Sequence, residues 1–218
     1  MTPDLLPADI IGTSVFDMRD ASFQIKKGPI FTNVLFCDEL NRATPKCQSA
    51  LLEAMQERQV SIEGQTFSLP RPFMVVATQL PFGSAGTYPL TDVQIDRFAF
   101  KVKVGYPSFS EEIEIMSRID ELEAPKIYVR TSSEKILEEI EKVKKVYISD
   151  RVKEYIAGLI NSLRKKDFVR MGPSPRASIW LFKGARAKAY LEGRDYVIPD
   201  DVKIIAPFVL SHLSLIHI

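Results

Sequence analysis

Two acids side by side at the end of an apolar run are the first residues in this chain whose types could do chemistry. Residues 33–42 read Asn-Val-Leu-Phe-Cys-Asp-Glu-Leu-Asn-Arg. Val34, Leu35, Phe36 and Cys37 are continuously apolar, which a half-exposed strand would not be, and the run is too short for a helix. It predicts a buried parallel strand. Asp38 and Glu39 follow where that strand stops, the end of an open α/β sheet at which ligands bind. Neighbouring side chains there point different ways, so the two carboxylates can take separate tasks. One can hold the water shell of a Mg²⁺ ion while the other orients an attacking water in phosphoryl transfer. The plain alternative is that the pair ends a strand and leads into the next turn.

The rest of the chain must hold these acids in place. With 218 residues, 45% of them hydrophobic, it can form one large domain or two small ones around a packed core. The balance of 29 basic against 28 acidic residues argues against a protein that coats nucleic acid or anionic lipid. No apolar run approaches the roughly 18 residues of a membrane span, and no export signal is visible, so a cytoplasmic setting without a membrane partner is expected. Cys37 and Cys47 are the only cysteines and the two histidines lie in the tail, so neither a zinc constellation nor a structural disulfide is expected.

In chain order, a proline-punctuated segment with Leu5, Leu6, Ile10 and Ile11 leads to a small hairpin at 14–16 and 22–25. After the acids, Thr44-Pro45 has the chemistry of a helix start, and Cys47, Leu51, Ala54 and Met55 form its buried stripe as far as Arg58. Val60 with Ile62, and Phe67 with Leu69, alternate about a Glu63-Gly64-Gln65 turn. Residues 73–78 read as a second buried strand, followed by a shaped loop over 79–89 containing Gly83 and Gly86. Thr91 can cap a short helix with Val93, Ile95 and Phe98, and Phe100, Val102 and Val104 alternate as a strand with one wet face. Beyond a boundary at 107–110 the period becomes helical. Ile113, Met116, Ile119 and Leu122 mark one helix, and Thr131-Ser132-Ser133-Glu134 opens a second that buries Leu137, Ile140, Val143 and Tyr147. A third starts at Asp150 with Val152, Tyr155, Ile156, Leu159 and Leu163. A fourth starts at Pro175 and carries Trp180, Leu181, Ala185 and Ala189 to a stop at Gly193. The last starts at Pro199 and is interrupted by Pro207.

The run Asp38-Glu39-Leu40-Asn41-Arg42-Ala43, the helix Leu51-Leu52-Glu53-Ala54-Met55-Gln56-Glu57-Arg58-Gln59-Val60, and Gly86-Thr87-Tyr88-Pro89-Leu90 followed by Asp96-Arg97-Phe98 together resemble the MoxR family of AAA+ ATPases. So do Gly172-Pro173-Ser174-Pro175-Arg176-Ala177 and Leu191-Glu192-Gly193-Arg194-Asp195-Tyr196-Val197. The resemblance covers nearly the whole chain and rests on the joint order and spacing of these pieces. It implies an α/β fold in which a partial P-loop NTPase core, a parallel sheet with helices and hairpin inserts, occupies residues 1–107. An all-α lid follows over 108–218.

The resemblance further implies a homo-oligomeric ring, a hexamer, that binds ATP and Mg²⁺ between subunits and hydrolyses the ATP to ADP and phosphate. Such rings act as chaperone-like remodellers of protein complexes, often with a von Willebrand-type domain protein as client or partner. Position by position, the strand ending at Glu39 resembles the Walker B segment, with Asp38 binding nucleotide-bound Mg²⁺ through water and Glu39 as the catalytic carboxylate. Arg97 matches the arginine finger offered to a neighbouring subunit's nucleotide, and Arg176 matches the lid's nucleotide-contacting sensor-2 arginine. A guanidinium suits both positions, because charge develops on the equatorial oxygens of the transferred phosphoryl group. Otherwise Arg97 would form an exposed ion pair with Asp96 of little weight, while Arg176 would sit near a helix start where its charge opposes the dipole.

Three departures from the family pattern set further expectations. No Gly-x-x-x-x-Gly-Lys-[Ser/Thr] run occurs in these residues; in the family that loop and two core strands precede the point at which this chain begins. The expectation is a member lacking its leading part, with a split sheet, a strand near Phe100 left without its partner, and no detectable ATP binding by this polypeptide alone. Leu80 stands where the family has the sensor-1 Asn, and a leucine cannot hydrogen-bond a phosphate or a water, which leaves Gln79 as the substitute. The tail 211–218 is apolar where the family is basic and is given no function. Two other readings stay open: a nucleotide-independent scaffold that binds a protein partner, and a nucleic-acid motor, since Gln56 to Ile62 resembles the equivalent place in replicative helicases of the clade. Near-zero net charge, with Glu63 and Gln65 at the hairpin tip, weighs against the motor on nucleic acid.

Overall fold

The computed structural model describes residues 1–80, 86–167, 169–212 and 215–216. The chain starts with α1 (Pro7–Ile11), which has a proline at its first position and Asp9 reaching back to the Leu6 amide at 2.8 Å. β1 (Gly12–Asp17) and β2 (Ser22–Lys27) pair antiparallel, as the expected hairpin but longer. Gly12, at φ +103°, and Gly28 lie where the chain passes itself closely: a Cβ on either would come within 2.3 Å of a backbone oxygen.

β3 (Val34–Cys37) runs parallel to β6 (Met74–Ala77), Val34 opposite Met74 and Cys37 opposite Ala77. Between them lie α2 (Pro45–Glu57), closed by Arg58 in the left-handed region, and the hairpin of β4 (Gln59–Ile62) and β5 (Gln65–Ser68). Glu63 and Gly64 form its two-residue turn, both at positive φ. α3 (Asp92–Ile95) follows Thr91, whose amide bonds Gln94 Oε1 at 2.8 Å. Ile30, Leu40, Cys47 and Leu51 are fully buried at the centre of this body.

Two strand expectations need correction. β3 was expected to be buried on both faces, and it buries one: Cys37 points inward, while Val34 is 55% and Phe36 61% exposed, beside Met74 at 54% in β6. Two paired strands give one face to α2 and its neighbours, and no described element lies over the other. Residues 100–104 form no strand. The Lys101 amide bonds the Phe208 carbonyl at 2.8 Å, a single bond where a strand would need a ladder, because no described strand lies alongside to supply one.

The helix expected after Ser110 is two short ones, α4 (Phe109–Ser117), capped by Ser108, and α5 (Ile119–Glu123), broken at Arg118. Ile113, Met116, Ile119 and Leu122 line no core, being 44% to 67% exposed. In α6 (Ser133–Lys145), Leu137 and Ile140 are more than a third exposed and Tyr147 beyond it is open. Val146 and Ile148 take the buried places instead.

α7 (Asp150–Arg164), α8 (Pro175–Leu191) and α9 (Pro199–Leu210) form a second cluster around Leu181, Ala185, Ala189, Val202 and Val209. Alanines on α8 let the helices approach closely, and a Cβ on Gly184 would lie 2.8 Å from Ile205 Cγ2. Contrary to expectation, α9 continues through Pro207. The carbonyl that loses its amide partner belongs to exposed Lys203, where solvent can reach it. A small antiparallel pair, β7 (Val169–Met171) with β8 (Leu215–Ile216), lies beside α7 of this helical cluster.

Candidate functional site

The β3–β6 register puts Thr78 beside Asp38, one residue past each strand. Thr78 Oγ1 donates to Asp38 Oδ1 at 2.7 Å and accepts from the Glu39 amide at 2.8 Å. The Leu40 amide then bonds the Thr78 carbonyl at 2.9 Å, which closes the two chain segments over each other. Glu39 adopts φ 52°, ψ 53°, an uncommon conformation for a residue with a Cβ, and its Oε2 lies 3.1 Å from Arg42 Nη1. The Met1 amine donates to the Asp38 carbonyl at 2.7 Å. Behind the acids, burial pushes the Cys37 thiol up to about 11, so it stays neutral. Both cysteines are free.

Asp38 therefore has one carboxylate oxygen committed to Thr78 and, among the described residues, no partner on the other, on an exposed side chain. That donor set fits a hydrated Mg²⁺, which keeps most of its waters and takes one or two carboxylates. The described residues offer no glycine-rich cradle for the phosphates of a nucleotide.

Two buried amides hold the loops around the acids, and sequence reasoning missed both. Asn41 bonds the backbone of Leu80 twice, Nδ2 to its carbonyl at 3.1 Å and Oδ1 from its amide at 3.0 Å. Gln48 Nε2 donates to the Ala43 and Tyr88 carbonyls, both at 3.0 Å. The available signal was Gln48 next to Cys47 on an otherwise apolar helix stripe. Gly83 of the shaped loop falls outside the described residues.

Arg97 lies just past α3. Its Nη1 is 3.5 Å from the Leu52 carbonyl, its Nε is buried without a partner among the described residues, and it lines a hollow of ≈ 210 Å³ with Glu53, Glu57 and Gln94. The expected alternative, an ion pair with Asp96, does not form. Asp96 turns to the lid: its Oδ2 accepts from Arg176 Nη1 at 2.8 Å and its Oδ1 from Ser174 Oγ at 2.6 Å. The structure thus brings Asp38 together with Glu39, and Arg176 together with Asp96. No described bond joins either arginine to the two acids.

A parallel strand pair with acids at its carboxyl end is thus followed by a helical body with its own buried cluster. Residues 1–100 match the family model described as the ATPase family associated with various cellular activities (AAA), and residues 161–213 match the AAA lid domain. The chain is 45% identical to the uncharacterized protein YeaC of Bacillus subtilis, over 99% of this chain and 68% of YeaC. It is 44% identical to Chaperone MoxR1 of Mycobacterium tuberculosis, over 97% of this chain and 58% of MoxR1. The crystal structure of a putative ATPase from Cytophaga hutchinsonii superposes with a TM-score of 0.90 at 39% identity, covering 100% of this chain and 69% of that one. The chain belongs to the MoxR family of AAA+ ATPases. No helix among the described residues is long and apolar enough to cross a membrane.

Proposed function

We propose that the chain is the Walker B, sensor and lid portion of an ATPase that hydrolyses ATP to ADP and phosphate and remodels protein complexes. In this reading the core gives way to the lid at 107–108, a division supported by the separate buried clusters on either side of it. Asp38 holds the magnesium shell through water, Glu39 orients the attacking water, Arg97 reaches a neighbouring subunit's nucleotide and Arg176 contacts nucleotide from the lid. Bound Mg-ATP would supply the phosphoryl group and neutralise its charge. The chain's own residues do the positioning. Thr78 fixes one oxygen of Asp38, Arg42 holds the Glu39 carboxylate, and Asn41 pins the backbone at Leu80, leaving polar contact there to Gln79.

The Thr78-held Asp38 next to Glu39 at the end of a parallel strand carries this reading. A ring, a hexamer in this family, is supported by the family match alone. A protein client is supported by the chaperone name of MoxR1, and a reducing cytoplasmic setting by the two free cysteines. Calorimetric titration of these 218 residues with Mg-ATP is expected to give no micromolar binding constant, since one lid arginine without a phosphate-binding loop holds a polyphosphate only weakly. Joined behind a leading segment that carries the family's phosphate-binding loop, they should hydrolyse ATP. There Glu39→Gln should lower turnover by about 10² or more while nucleotide still binds. Unchanged turnover of Glu39→Gln would sink the assignment.

A further inference from the structure

The strip that follows α3 is tied to the lid at four points. Asp96 bonds Arg176 and Ser174, and the Phe98 carbonyl accepts from His212 Nε2 at 2.9 Å. The Phe100 ring packs over Gly184, its Cζ 3.4 Å from where a Cβ would sit there, and the Lys101 amide donates to the Phe208 carbonyl at 2.8 Å. Arg97 lies inside this strip, yet its own side chain reaches to α2.

Asp96 makes the only charged tie of the four. Its side chain is 18% exposed and binds a guanidinium and a hydroxyl at once, both by charge-assisted bonds. Ser174 in turn caps α8, accepting from the Arg176 amide at 3.1 Å, so the carboxylate sits where the helix dipole favours an anion. Arg176 spends only Nη1 on Asp96 among the described residues, which leaves its Nε and Nη2 donors for a second anion.

We propose that Asp96 is a positioning residue: it sets the Arg176 guanidinium with one edge open to a polyphosphate, and it makes the Arg97 strip move with the lid. The proposal rests on the reading of Arg176 as a nucleotide contact only for the identity of that anion. The coupling stands on the bonds themselves.

Amide hydrogen exchange on the 218-residue chain tests both halves. Asp96→Asn keeps the shape and removes the charge, and should speed exchange about tenfold at 97–101 and at 176–180 together. Arg176→Gln should do the same, with the double variant no faster than either single one. Ser174→Ala, the milder change, should shift both segments in the same direction by less. It serves as the test should circular dichroism show that a charge variant has lost helix. Separate, additive increases, each confined to its own segment, would overturn the coupling. Tripolyphosphate, as the probe, should slow exchange at 176–180 in the parent chain and do so less in Asp96→Asn. Equal protection in both would overturn the positioning role. No protection in either, with the coupled pattern intact, would refute the phosphate reading of Arg176 and leave the coupling established.

Discussion

In the lid, Leu181, Ala185, Ala189, Val202 and Val209 are sealed from solvent between α7, α8 and α9, and Asp201, the one buried carboxylate among the described residues, is bonded inside the same body. The body around α2 is equally dry at Leu40, Cys47 and Leu51, but its two-stranded sheet shows solvent a face of Val34, Phe36, Met74 and Val76. The polar bonds differ in the same way. Burial pushes the Asp201 carboxyl up, but the Arg194 guanidinium and the Ile198 amide outweigh it and hold the group below its ordinary value. Those bonds stiffen the lid from within. In the other body the Thr78 bonds sit at the open end of β3, where they fix Asp38 and the Glu39 amide, while the buried Asn41 and Gln48 amides hold the loops around the acids. One region is built to keep its own shape; the other keeps its acids in place with tethers and leaves an apolar face unused by the described residues.

The sharpest way to break that contrast is to open a cavity in the closed region. Leu181→Ala removes a side chain that is 0% exposed, and should cost about 3 kcal/mol from lost burial and the void left behind. Urea unfolding followed through Trp180, the single tryptophan and part of the lid cluster, reads that loss directly. A cost below about 1 kcal/mol would mean that the lid relaxes as freely as a surface.

A smaller effect is expected at the joint between the regions. His212 is buried, and burial holds its pKa below the ordinary 6.5; the Phe98 carbonyl and Asp96 oppose the shift, and Lys101 adds to it. The ring is therefore neutral in the fold, while the unfolded chain takes up a proton near 6.5. Stability from this site is complete above that pH and is lost as pH falls through the lower folded value. Thermal melts from pH 7.5 down to about 5 should show a decline that His212→Asn removes. An identical decline in the variant would assign the pH sensitivity elsewhere.

The sequence was legible where a local rule and the tertiary setting agree. The turn at Glu63-Gly64, the proline starts of α2, α8 and α9, and the stripe of Cys47, Leu51 and Ala54 all follow from nearest-neighbour chemistry. The order and spacing of motifs sufficed for the family. What stayed hidden depends on partners far along the chain. The Thr78 and Asn41 bonds span 39 or 40 residues, and Asp96 meets Arg176 across 80. An Asp beside an Arg in sequence suggested a local pair, and the lid outcompeted it. Apolar periodicity also says which residues could be buried, not whether anything covers them, which is why Leu137, Ile140 and the outer face of β3 were misjudged.

The smallest expected change falls on that outer face. Phe36→Thr removes a larger side chain than Leu181→Ala does, yet Phe36 is 61% exposed and its ring leaves little void. The β-branched replacement also suits a strand. The expected cost is within about 0.5 kcal/mol by the same urea measurement, with less self-association at high concentration because an exposed apolar patch shrinks. Size alone would rank the phenylalanine first, so the order of the two losses reports which region is closed. A loss at Phe36 as large as that at Leu181 would mean that something covers this face in solution, and the contrast between the two regions would then disappear.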